Sequence, residues 1–221
     1  MPDLNSTALI SFKDWTLRIR KSTHPTPRFL LLIHGHTGDE NSMWVFARGL
    51  PAHYWIVAPR APHPAESGGY SWRLPQTGNL DRLSLEMLRS TAESLIRLVD
   101  EYSASVGREA DAGDFDVMGF SQGAAMSSVL AFLYPQRIRK AGLLAGFVPN
   151  GLEELITLRP LEGKPFFVAH GTKDETITVD RARASIALLE QAGANVTYCE
   201  DEVSHKVSVN CLHALRKFLA D

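Results

Sequence analysis

The stretch Asp114-Phe115-Asp116-Val117-Met118-Gly119-Phe120-Ser121-Gln122-Gly123-Ala124-Ala125 decides how the rest of the chain is read. A short apolar run ends in Gly119-Phe120-Ser121-Gln122-Gly123 and passes into small residues, the pattern of a strand that turns sharply into a helix with a serine at the bend. Glycines two residues before and after Ser121 leave room for so cramped a turn. The N–H groups and dipole of a helix starting at Gln122 favour negative charge beside Ser121, where a tetrahedral oxyanion would form. The stretch therefore predicts a nucleophilic serine at the end of a buried strand.

A serine is a weak nucleophile at neutral pH, so this reading requires an acid and then a histidine later in the chain. Three histidines follow Ser121: His170, His205 and His213. His170 closes the apolar strand Pro165-Phe166-Phe167-Val168-Ala169. His213 falls beside Arg216 and Lys217, on the solvated side of a helix whose apolar face is Cys211, Leu212, Leu215, Phe218 and Leu219. His205 lies in the turn Glu202-Val203-Ser204-His205-Lys206, where catalytic groups usually sit, and is the expected base. For the acid, Asp174 in His170-Gly171-Thr172-Lys173-Asp174-Glu175-Thr176-Ile177 follows a buried strand and is preferred. Asp180 reads more simply as a helix N-terminal charge. Glu175 competes only in another loop register, and Asp201 and Glu202 read as solvated. The second part of an oxyanion hole should follow an early central strand. Arg28-Phe29-Leu30-Leu31-Leu32-Ile33 is such a run, and it opens into His34-Gly35-His36-Thr37-Gly38-Asp39-Glu40. The expected donors are the backbone N–H groups of His36 and Gln122.

These segments, together with Ser204-His205-Lys206, resemble the phospholipase/carboxylesterase family of α/β-hydrolases, which includes the acyl-protein thioesterases. The resemblance runs from about Arg28 to Leu219, with further echoes in Leu144-Ala145-Gly146-Phe147-Val148-Pro149 and Leu188-Leu189-Glu190-Gln191-Ala192-Gly193-Ala194. It implies an α/β-hydrolase fold with a mostly parallel central sheet, helices on both faces and no large lid domain. It also implies a serine carboxylesterase acting through Ser121, His205 and Asp174, and the small size and absence of a lid suggest short to medium acyl esters. Acyl-thioesterase or lysophospholipase activity at the same site is the alternative. The chain departs from the family pattern at Ser204 and Lys206, where Gly and an acidic residue are common, and at His36, where an aliphatic residue is frequent.

Composition fits one enzyme domain over residues 1–221: 44% of residues are hydrophobic, enough for a large core. A net charge of −2 with no basic block excludes the electrostatic footprint of a nucleic-acid binder. No apolar run is long enough for stable membrane insertion, and the Met1-Pro2-Asp3-Leu4 start carries no secretory signal pattern. Cys199 and Cys211 read first as buried free thiols, consistent with a cytoplasmic protein, with a disulfide between them as the alternative, since sequence says nothing of their separation. A homodimer is the base-rate expectation for assembly.

Apolar segments and helical patterns alternate along the chain, the signature of a parallel sheet covered on both faces. Strands are expected within residues 7–20, at 28–33 and 54–58, in the apolar run leading to Ser121, and at 140–144, 165–169 and 196–199, with helices over 39–49 and 80–106. The irregular segment 59–79 contains Tyr70-Ser71-Trp72-Arg73. Long loops in compact domains are commonly functional, so Tyr70 and Trp72 are expected to line a substrate pocket with Phe147, Val148 and Ile177. Arg60 and Arg73 read by default as solvated. The run His34-x-His36 with Asp39 superficially resembles the ligands of metallo-β-lactamase-like hydrolases, but its acid falls one position late, so neither a metal nor another cofactor is expected. A non-catalytic hydrolase-fold binding protein is the alternative of another class; the presence of all three triad side-chain types argues against it.

Overall fold

The structure, a computed structural model, describes residues 7–74, 83–107 and 113–220. Strands β1 (Ala8–Phe12) and β2 (Trp15–Arg20) form an antiparallel hairpin where the sequence suggested one early strand. Lys13, with φ +50°, makes the reversal between them. The chain continues through β3 (Arg28–Ile33), α1 (Trp44–Ala47), β4 (Tyr54–Pro59), the short β5 (His63–Pro64) and β6 (Tyr70–Ser71), α2 (Leu85–Val106), β7 (Phe115–Phe120) and α3 (Gln122–Leu133). It ends with β8 (Ile138–Leu144), α4 (Glu153–Thr157), β9 (Pro165–Gly171), α5 (Val179–Gln191), β10 (Asn195–Asp201) and α6 (Val209–Ala220).

Eight strands join in the order β1-β2-β4-β3-β7-β8-β9-β10, antiparallel at the β1–β2 and β2–β4 pairs and parallel from β4 onward. The apolar run of β3 divides by the two-residue period of a strand. Phe29, Leu31 and Ile33 join the core under α2, α3 and α5, whereas Leu30 and Leu32 join the core under α1 and α6. Burial on both faces is why the run shows no polar alternation. Strand order reverses at β3: the chain leaves for β4 on one side and returns as β7 on the other. That reversal opens a crevice at the carboxyl ends of β3 and β7, the usual ligand position in such sheets. No separate lid domain interrupts the described residues.

Three expectations need correction. Helix over 39–49 shrinks to Trp44–Ala47, because the Asp39 carboxylate accepts from the Asn41 N–H at 2.9 Å and the Ser42 hydroxyl at 3.0 Å and builds a turn instead. The long helix begins at Leu85, whose N–H donates to Asn150 O at 2.8 Å; residues 80–82 lie outside the described residues, as do 75–79 of the irregular segment. Cys199 and Cys211 are joined as a disulfide rather than free. Helix α6 packs back along β10 and brings their Cα atoms to 5.6 Å, a separation that spacing alone does not reveal. The argument from free thiols to a reducing compartment falls with that correction.

Candidate active site

Ser121 follows β7 directly and precedes the first residue of α3, with φ +53° and ψ −115°. A non-glycine residue there is strained, and close packing holds it in place. A Cβ on Gly123 would lie 2.1 Å from Ile33 O, and one on Gly119 would lie 2.0 Å from Gly123 O. The start of α3 is thus pressed against the end of β3, which sets the loop after β3 beside Ser121.

Asp174 and His205 reach the same crevice from the ends of β9 and β10. His205 Nε2 lies 3.0 Å from Ser121 Oγ, and His205 Nδ1 lies 2.7 Å from Asp174 Oδ2. With an ionised carboxylate as acceptor, Nδ1 carries the proton and Nε2 is left to accept from the serine hydroxyl. The Asp174 side chain is wholly buried, and its Oδ1 accepts the N–H groups of Thr176 and Ile177, each at 2.9 Å. The Phe120 ring leans on the His205 ring at 5.1 Å between centroids. The other acids stand apart: Asp180 pairs with Arg183, Glu202 with Lys173, Asp201 accepts from Asn210, and Glu175 is exposed. His213 is exposed on α6. His170, set aside in the sequence as a strand end, lies against the acid, its Nε2 3.4 Å from Asp174 Oδ2 and 2.8 Å from Ile177 O.

The loop after β3 is held from both sides. Thr37 N–H donates to Tyr70 O and Tyr70 N–H to Gly38 O, both at 3.0 Å. Gln122 adds a tie through its side chain, whose Oε1 accepts the Trp72 N–H at 3.0 Å and whose Nε2 donates to Ser71 Oγ at 3.1 Å. The sequence suggested only a backbone role for Gln122, and nothing local signals this long-range bond. His34 is fully buried: its Nε2 accepts the Ala61 N–H at 3.0 Å, so Nδ1–H donates to Gly35 O at 2.7 Å. Burial pushes its pKa down and keeps it neutral, with both ring nitrogens committed. Burial and Arg73 also push the His36 pKa down. Among the described residues no cluster of His, Cys, Asp or Glu is arranged to hold a metal ion.

The residues expected to line a substrate pocket are largely closed in. Trp72 and Phe147 have no exposed surface, Ile177 is 1% exposed and Val148 5%. The Trp72 indole N–H donates to His34 O at 2.8 Å, and Arg181 covers the Phe147 ring. Tyr70 is half-buried, with its hydroxyl accepting from Arg60 at 3.1 Å. Arg60 is not simply solvated: it grips the buried Glu40 carboxylate in a two-point pair at 2.7 and 3.0 Å. Arg73 is buried as well. The open cavity flanking Ser121, about 500 Å³, lies on the other side, between the loop after β3 and α1. Met43, Val45, Phe46, Phe120 and Val207 give it apolar walls, and His36 and Lys206, two departures from the family pattern, also line it. Phe120 carried a signal, since it immediately precedes Ser121. The α1 residues reach the cavity only through the chain's return over the sheet.

Fold and crevice define an α/β-hydrolase. The crystal structure of a carboxylesterase from Mesorhizobium loti matches with a TM-score of 0.80 at 22% identity, covering 97% of this chain and 98% of that one. The Bacillus cereus carboxylesterase matches with 0.79 at 23% identity, covering 93% of each chain. The family model for phospholipase/carboxylesterase matches residues 16–221, and the chain belongs to that family. Acyl-protein thioesterase 1 of Yarrowia lipolytica is 27% identical over 169 residues, covering 71% of this chain and 73% of its own length. A probable carboxylesterase of Arabidopsis thaliana is 26% identical over 173 residues, covering 75% of this chain and 65% of its own length, just under two thirds. No helix among the described residues is long and apolar enough to cross a membrane.

Proposed function

We propose that the chain is a serine carboxylesterase that hydrolyses short to medium acyl esters through a Ser121–His205–Asp174 triad. The observation that carries this reading is the unbroken hydrogen-bonded line from Ser121 Oγ through both nitrogens of His205 to a buried carboxylate. In the reaction, Ser121 Oγ bonds to the ester carbonyl carbon while its proton passes to His205 Nε2. Asp174 holds the tautomer and stabilises the imidazolium. The N–H groups of His36 and Gln122 receive the oxyanion. The carbon–oxygen bond to the alcohol then breaks and His205 returns the proton to the leaving oxygen. Water, deprotonated by the same nitrogen, cleaves the acyl-enzyme and restores the serine. The apolar part of the substrate occupies the cavity between Phe46, Phe120 and Val207. Its size suits a short or medium chain.

The test is fluorophosphonate labelling with peptide mapping, alongside hydrolysis of p-nitrophenyl esters of increasing chain length. The adduct is expected on Ser121 and absent in His205→Ala. Asp174→Asn should lower kcat by about 10⁴-fold through the wrong tautomer. A folded protein that neither labels nor hydrolyses any ester would sink the proposal, leaving a hydrolase-fold binding protein. The thioesterase among the relatives favours thioester cleavage as a second reading. Parallel kcat/KM values for an acyl ester and the matching thioester decide between them.

A further inference from the structure

We propose that His170 is a positioning residue for the acid of the triad, a role that rests on the triad reading above. It sits near the end of β9, four residues before Asp174, and its side chain is wholly buried. A carbonyl oxygen can only accept, so the 2.8 Å contact with Ile177 O places the ring proton on Nε2. The bare Nδ1 is left buried with no hydrogen-bond partner. The ring is therefore committed at one nitrogen only, and that nitrogen faces the turn carrying Asp174.

The geometry makes a chain of constraints. His170 anchors the carbonyl of Ile177, and the N–H of the same residue holds Asp174 Oδ1 at 2.9 Å beside the N–H of Thr176. With Oδ1 gripped, the carboxylate plane is set and Oδ2 points at His205 Nδ1. The Nε2–H of His170 also passes 3.4 Å from Oδ2, too long for a full hydrogen bond, but its positive end faces a wholly buried carboxylate. Asp174 N–H donating to Gly171 O at 3.2 Å closes the near side of the turn. Without the imidazole, Ile177 O would lose a buried donor and the far side of the turn would be free to rotate the carboxylate.

Two substitutions of similar polarity separate this role from simple packing. Glutamine places its amide nitrogen near where imidazole Nε2 stands, whereas asparagine reaches only to the level of Nδ1. His170→Asn is expected to lower kcat about 10- to 30-fold with KM changed less than about twofold, and to broaden the downfield proton resonance of the His205–Asp174 bond. His170→Gln should keep kcat within about threefold of the parent and retain the resonance. Hydrogen exchange in the unaltered protein adds a readout that needs no variant: the Thr176 and Ile177 amides should exchange as slowly as those of β9. A folded Asn variant with parental kcat and an intact resonance, a Gln variant as impaired as Asn, or fast exchange at both amides would each overturn the proposal. Ser121→Ala and Asp174→Asn are measured alongside. If those two remain active the triad itself is wrong, and if they are inactive while both His170 variants work, only the positioning role falls.

Discussion

Removing the disulfide should cost the fold far more than it costs the chemistry. Cys199 and Cys211 are 12 residues apart and close a loop that contains His205. In the chain-entropy account, a loop of that length restricts the unfolded state by about 3 kcal/mol at 25 °C. For a domain of this size each kcal/mol moves the melting temperature by about 2–4 °C, so the Cys199→Ala/Cys211→Ala double variant should melt about 6–12 °C lower. The loop keeps other anchors: Thr172 N–H on Asp201 O at 2.9 Å, Lys173 N–H on Val203 O at 3.0 Å, and Asn210 on Asp201 at 3.0 Å. Turnover at 25 °C is therefore expected to fall less than about threefold. The assay is a thermal melt of the oxidised protein, the dithiothreitol-reduced protein and the double variant, with ester hydrolysis at 25 °C on each. A shift below about 2 °C would refute the loop-closure argument. Turnover lost with an unchanged melt would refute the claim that backbone bonds hold His205 independently.

Two further outcomes follow from individual contacts. A Cβ on Gly171 would stand 2.2 Å from Val203 O and 2.3 Å from Ser204 O, so Gly171→Ala must push the His205 turn away; kcat should fall at least about tenfold, checked by steady-state kinetics beside a melt. The Arg60 pair holds the buried Glu40 carboxyl below its ordinary value of 4.5, so its stabilising contribution is complete above that value and fades as pH falls through the lowered folded-state value. Glu40→Gln should melt about 2–6 °C below the parent at pH 7, and the gap should close in acid; a gap that widens in acid would contradict this.

Much of the site was legible because it is written locally. The bend at Ser121 needs a strand, two small neighbours and a helix start within a dozen residues, and all of these are adjacent in sequence. His205 and Asp174 were legible as types in chain order, since each lies in the loop just after a strand and such loops share one edge of a parallel sheet. The alternation hidden in β3 was not readable, because a strand covered on both faces has no polar side. The short α1 was overcalled because helical spacing does not register Asp39 competing for the backbone.

The sequence by itself determined the strand–helix alternation, the burial of β3 and β7 and the residue types at the crevice, all set by local sterics and hydrophobic period. Only the tertiary structure decided that Cys199 meets Cys211, that Gln122 ties down the Trp72 segment, that Trp72 and Phe147 fill the core rather than an open pocket, and that His170 stands against Asp174. Each of these depends on how far apart two surfaces lie after the sheet twists and its helices dock. That separation is fixed by packing among residues distant in the chain, which local propensity does not encode.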